Sequence, residues 1–208
     1  MMYSWICMRQ AWSKLLFAPV AMLPATTSAF DGQVILTADG HTEPYARIKS
    51  VLGAPVESPD CPHPAFGPHI TQTKDDTIGR YVFIFNIHVV PDNDRCKGFD
   101  RQRLEIKTEG SSPSYVKGFL DDSVTFRWSF RLPDGFQPST NFTHIHQIKA
   151  FDGDAVAPVI TLTPRRDDPN KLQLIHIDSS GHTERRAVSF DEAHIAPVRT
   201  VIEYCCSL

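Results

Sequence analysis

The stretch SVTFRWSFRL, residues 123–132, alternates apolar with polar residues along its whole length. Val124, Phe126, Trp128 and Phe130 fall on one face of an extended chain, Arg127, Ser129 and Arg131 on the other. A period of two is the signature of a β-strand with one face against a core, and the polar face is expected to be wet. Runs of the same kind surround it. YVFIFNIHVV (81–90) precedes PDND, RQRLEIKT (101–108) precedes EGSSPS, and THIHQIKAF (143–151) precedes DGDA. PVITLT (158–163) and KLQLIHI (171–177) are each followed by Pro, Asp, Asn or Gly turn residues. Short strands separated by turn chemistry predict an antiparallel sandwich or barrel. The run 81–90 is apolar on both sides and is expected to be covered on both. Helical periodicity is hard to find after residue 30. Val51 to Pro68 carries five prolines and one cysteine, which predicts an irregular, stapled loop.

The N-terminus reads as an address. Met1 to Ala29 contain Arg9 and Lys14 but no acid, then an apolar run from Leu15 to Leu23, then ATTSA. Thr27 and Ala29 suit a signal-peptidase site, so residues 1–29 are expected to be a leader and the mature chain to begin near Phe30. The apolar run is too short to span a bilayer. Losing two cations moves the formal charge from −3 to −5, which disfavours nonspecific nucleic-acid binding. Neither nucleic acid nor membrane is an expected partner, and a secreted, extracellular monomer is. Residues 30–208 suit one β-sandwich domain, with 185–208 an irregular or atypical tail ending IAPVRTVIEYCCSL. That tail suggests a truncated or frame-shifted terminus. Cys61 and Cys96 remain as one pair, whose bridge would close a loop worth roughly 3–4 kcal/mol. Asn141-Phe142-Thr143 is an N-glycosylation sequon at Asn141.

Two charged motifs carry candidate chemistry. On the 101–108 run, alternation sends Arg101, Arg103, Glu105 and Lys107 to one face and Leu104 and Ile106 to the other. Three cations around one acid make a ladder for a polyanionic chain, because guanidinium forks hold carboxylates bidentately. An ordinary solvated strand face has the same pattern. The second motif is His144-Ile145-His146-Gln147. Alternation aims both histidines one way, but whether inward or outward is open, since Phe142, Ile148 and Ala150 share their face. Buried histidines, a cupin-like metal pair, and proton transfer or sugar binding in a cleft are the three uses. The cupin pattern wants a further Glu and a third His, which the sequence does not supply nearby, so no metal or cofactor is expected.

Arg103-Leu104-Glu105-Ile106-Lys107 resembles the R-x-E-x-R strand of jelly-roll polysaccharide lyases of the alginate-lyase type. His144-Ile145-His146-Gln147 falls where those enzymes carry a Gln-Ile-His strand. RWSFRLPDGFQPSTNFTHIHQIKAFDG is similar to secreted fungal and bacterial proteins related to glucuronan and heparin-lyase-like sandwiches. The resemblance covers roughly residues 80–178. It implies an all-β, concanavalin-like jelly roll of two antiparallel sheets, complete or cut short at its C-terminus, that cleaves uronic-acid glycans by β-elimination or is a degenerate copy of such a lyase. Such a lyase removes the C5 proton beside a carboxylate and expels the 4-O substituent. Arg103 would neutralise the carboxylate, with His144 or Gln147 as donor and His146 as the base or its assistant. Arg101, Glu105, Lys107, Gln147 and Lys149 would bind the acidic polysaccharide. The chain departs from the pattern in three ways. Lys107 replaces an Arg, the Gln and His are permuted, and neither Tyr115 nor Tyr204 sits in the motif of the family's catalytic tyrosine. A non-catalytic, lectin-like sandwich is the alternative. A glycoside hydrolase ranks below it, because no close carboxylate pair is evident.

Overall fold

The computed structural model describes residues 2–4, 6–10, 34–53, 56–88, 90, 92–98, 101–119, 122–133, 135–141, 143–150, 157–178, 180–189 and 198–205. The described residues are mostly β-strand in antiparallel sheets, as expected, with one short α-helix among them. Its strands are β1 (Met2–Ser4), β2 (Ile6–Gln10), β3 (Val34–Leu36), β4 (Val56–Glu57), β5 (Ile70–Asp75), β6 (Arg80–Phe85), β7 (Glu105–Ile106), β8 (Ser123–Arg131), β9 (His146–Lys149), β10 (Pro158–Arg165), β11 (Lys171–Ile177), β12 (Thr183–Ser189) and β13 (Val198–Cys205).

The seven-stranded sheet is organised around β8. On one side β13 pairs with it from Val198↔Phe130 to Cys205↔Ser123. On the other side β1 and β2 share a single register against β8, with Ser4 opposite Phe130 and Cys7 opposite Arg127. The far edge of β1 meets β6, and that of β2 meets β3. β5 closes the sheet beyond β6. A four-stranded sheet runs β12-β11-β10-β9. The two sheets meet through Trp128 and Phe130 of β8 and Ile160, Leu162 and Leu172 of β10 and β11. The apolar half of 123–132 therefore faces a core as its alternation requires. Its other half is only partly wet. Thr125 is buried, and Arg131 ion-pairs through Nη2 with the buried Asp75 carboxylate at 2.9 Å.

Beneath β5 and β6 lies a second core of Val34, Leu36, Ile48, Leu52, Ile70, Phe83, Phe85 and Val116. It contains the helix that periodicity did not reveal, α1 (Pro44–Leu52). Its signals are local. Glu43 caps the N-terminus by accepting from the Ala46 N–H at 2.7 Å, Pro44 occupies the first turn, and Gly53 ends the helix in the left-handed region. Ile48 and Leu52, four residues apart, supply its buried stripe. Nine residues are too few to stand out as a period of 3.6 in sequence.

Other boundaries shift for identifiable reasons. The run 81–90 leaves the sheet at Phe85, and the run 101–108 keeps only Glu105–Ile106 as strand, paired with Val56–Glu57. Val51–Pro68 is thus not wholly irregular. It holds the end of α1 and β4, and Cys61 is bridged to Cys96. The stretch expected as an irregular tail carries most of β12 and all of β13. β12 pairs with β11 at seven positions but is an edge strand whose residues are mostly exposed. Such a strand needs no apolar alternation, so none is seen.

Candidate functional site

The charged ladder of 101–107 does form one cluster, but around buried acids. Glu57 and Asp94 lie in the interior with almost no exposed surface. Glu57 binds Lys107 Nζ at 2.6 Å, Arg103 Nη1 at 2.8 Å and Arg95 Nη1 at 3.2 Å. Asp94 binds Arg101 Nε at 2.7 Å and Arg95 Nε at 3.2 Å, with Arg103 Nε at 3.6 Å. Glu105 is the cross-strand partner of Glu57, and two like charges opposite each other repel. Arg103 resolves this by placing Nη1 2.8 Å from Glu57 and 3.4 Å from Glu105. Burial alone would raise the Glu57 carboxyl, yet the hydrogen bonds from Lys107 and Arg103 hold it below its ordinary value. Burial likewise works against the Arg103 guanidinium, and Glu57, Glu105 and Asp94 overcome it and hold its proton more tightly. Leu104 and Ile106 turn the other way onto the second core, as alternation requires.

The turn that delivers Asp94 is strained. Arg95 and Cys96 sit at φ 49° and 58°, a region costing an L-residue roughly 1–2 kcal/mol each. The Asp94 N–H donates to Arg101 O at 2.9 Å, and the Cys61–Cys96 bridge fixes the far end of the turn.

β9 meets this cluster through Gln147. Gln147 Nε2 donates to Glu105 Oε1 at 3.1 Å. Gln147 is paired with Thr161 on β10, while His146 is paired with Leu162. Adjacent residues point to opposite faces, so Gln147 and His146 part company. His146 turns into the core between the sheets, its ring centroid 3.9 Å from Trp128 and 6.2 Å from Phe126. Its buried Nε2 has no hydrogen-bond partner among the described residues, and burial pushes its pKa down to about 4. His144 lies before the strand begins, and its exposed ring hydrogen-bonds through Nδ1 to Thr163 Oγ1 at 2.7 Å. Thr163 and Thr161 alternate onto one face of β10, so the His144 ring reaches the side that carries Gln147, roughly 7 Å along the strand. Burial and the Arg165 charge lower the His144 pKa. Lys149 is exposed on Gln147's side by alternation, and Asn141 is exposed. The two histidines that alternation aims the same way therefore do not share a face, because His144 is outside β9.

A second cluster escaped the sequence reading altogether. His63 lies in the turn after Cys61, His69 precedes β5, and His88 and Asp92 follow β6. One ligand atom from each lies within 4.8 Å of all the others. Asp92 is sealed, and its Oδ2 accepts from the His88 backbone N–H at 2.7 Å and pairs with His88 Nδ1 at 2.8 Å. Its Oδ1 lies 3.2 Å from His63 Nδ1. Burial would raise the Asp92 carboxyl, and the His88 hydrogen bonds together with His69 and His63 hold it below its usual range. His69 is fully buried, with Nδ1 2.7 Å from Asp60 Oδ1 and Nε2 3.1 Å from Asp92 Oδ2. Tyr45 Oη donates to Asp60 at 2.8 Å. Phe66 packs its ring 4.6–5.3 Å from those of His63, His69 and His88. The only signal in the sequence was three histidines and an aspartate set among prolines beside the bridged cysteines, and it has no period.

No family model, curated protein or solved structure matches the chain.

Proposed function

We propose that the protein is an exported lyase acting on uronic-acid polysaccharides, with its site around Glu105, which both Arg103 and Gln147 reach. The observation that carries this reading is the Gln147–Glu105 hydrogen bond at 3.1 Å. It joins the two motifs that resemble the jelly-roll lyases, which lie some forty residues apart in sequence. On this reading the packed antiparallel sheets are those of a concanavalin-like jelly roll. The bridged Cys61–Cys96 pair supports an oxidising compartment, and the exposed Asn141 sequon fits export.

In the reaction Arg103, helped by Gln147, holds the substrate carboxylate and stabilises the charge that develops when the C5–H bond breaks. The base is His144 rather than His146. Its Nδ1 is held against Thr163 Oγ1 at 2.7 Å, and in the tautomer protonated at Nδ1 the atom that takes the C5 proton is Nε2. The lowered pKa keeps that ring neutral at pH 7. The electron pair of C5–H forms the C4–C5 double bond as the C4–O bond breaks, and the leaving oxygen takes a proton from water. Arg101, Lys107 and Lys149 line the approach for an acidic chain.

The test is incubation with glucuronan, alginate or heparin while following ultraviolet absorbance of the unsaturated product. His144→Ala should lower the rate by about 10²–10⁴-fold, the usual contribution of a general base. His146→Phe should leave turnover largely intact. Retention on an immobilised glycan with no product from any of the three would assign the cluster to a lectin-like protein instead.

A further inference from the structure

We propose that His63, His69, His88 and Asp92 are the four ligands of a structural zinc-type ion, a site separate from the glycan reading. Three imidazole nitrogens and one carboxylate oxygen make a nitrogen-rich set suited to a first-row transition ion. Calcium and magnesium want six or more oxygens and are poorly served by it. The convergence of three rings on one sealed carboxylate is not by itself decisive, since three imidazoles can simply hydrogen-bond it.

The deciding observation is His69. Its ring is fully buried, and Nδ1 must carry a proton to donate to the Asp60 carboxylate at 2.7 Å, since a carboxylate only accepts. Nε2 is then a lone pair 3.1 Å from Asp92 Oδ2, and it lies off the line of any hydrogen bond. A lone pair facing a carboxylate in the interior is repulsive, and a cation between the two removes the conflict. Asp60, oriented by Tyr45, is the carboxylate that typically holds a metal-bound histidine in place from behind. Four protein ligands close a tetrahedral shell, which is the mark of a structural rather than a catalytic ion. Such an ion clamps the 60–69 turn to the segment after β6. Asp92 stands two residues from Asp94, so the clamp also fixes the turn on which Arg101 and Arg103 are anchored.

The test uses the full chain with its disulfide intact, stripped with chelator and titrated with zinc chloride by calorimetry. One equivalent should bind and raise the melting temperature. His63→Gln and His88→Gln, chosen because both rings are partly exposed, should each weaken binding at least tenfold. Asp60→Asn should weaken it by about 10–100-fold, and His182→Gln should not. Cobalt(II) in place of zinc should give the intense visible absorption of a tetrahedral ion. Zinc binding that is absent, or that both ligand variants retain undiminished, would overturn the proposal. A weak, six-coordinate cobalt spectrum would do the same.

Discussion

His146 shows how one imidazole sets a pH limit on this fold. Its folded pKa is about 4, against about 6.5 for an unperturbed ring. Above pH 6.5 the ring is neutral in both states and its packing on Trp128 contributes fully. As pH falls toward 4 the unfolded chain takes up the proton and the folded one does not, so stability declines across that window, by roughly 3 kcal/mol at most. His146→Phe keeps an aromatic ring on Trp128 and removes the titration. Denaturant midpoints from pH 7 to pH 4 should fall in the wild type and fall less steeply in the variant; equal slopes would mean that the ring is solvated. The motif His144-Ile145-His146-Gln147 was legible as chemistry-bearing, but not the division of labour within it. Each residue's neighbour across the sheet decides that, and the neighbour is Thr163 for one histidine and Trp128 for the other.

At the scale of elements, α1 rests on its two ends. Gly53 is left-handed at φ 56°, and a Cβ built there would lie 2.5 Å from Pro113 Cδ. Gly53→Ala should therefore destabilise the fold by about 1–2 kcal/mol, from the backbone conformation and from displacement of Pro113. An unchanged thermal midpoint would show that the helix ends elsewhere. The short β4–β7 pair is the element on which the charged cluster depends, because it sets Glu57 opposite Glu105 with Arg103 between them. Sequence showed the cations of 101–107 in correct alternation. It could not show that their counter-ions come from residues 57 and 94, since ion pairing leaves no periodic trace. The ladder is consequently more nearly neutralised by the protein itself than its composition implies.

For the whole molecule, export and sheet formation make opposite demands on residues 2–4 and 6–10. As strands β1 and β2 they stand between β8 and the pair β6 and β3, so they link the two sides of the seven-stranded sheet. As part of a leader they would be removed. The proposal of export expects intact-mass measurement of protein recovered from culture medium to show a chain beginning at Phe30. Recovery of a chain that retains Met1 would overturn the leader and assign those residues to the sheet. In a cleaved chain β13 and the long hairpin-like pairing of β10, β11 and β12 are unaffected, and β8 acquires an open edge.

The strands β8, β10 and β11, the core face of β8 and the inward side of 101–107 were legible in the sequence, because burial on a pleated surface writes a period of two into the chain, and the Cys61–Cys96 pair was legible as the two cysteines left between leader and tail. The acids beneath the arginines and the gathering of His63, His69, His88 and Asp92 were decided only by tertiary structure. Polar groups of that kind are brought together by the packing of separate loops, and side-chain contacts between distant loops carry no spacing rule for a sequence to reveal.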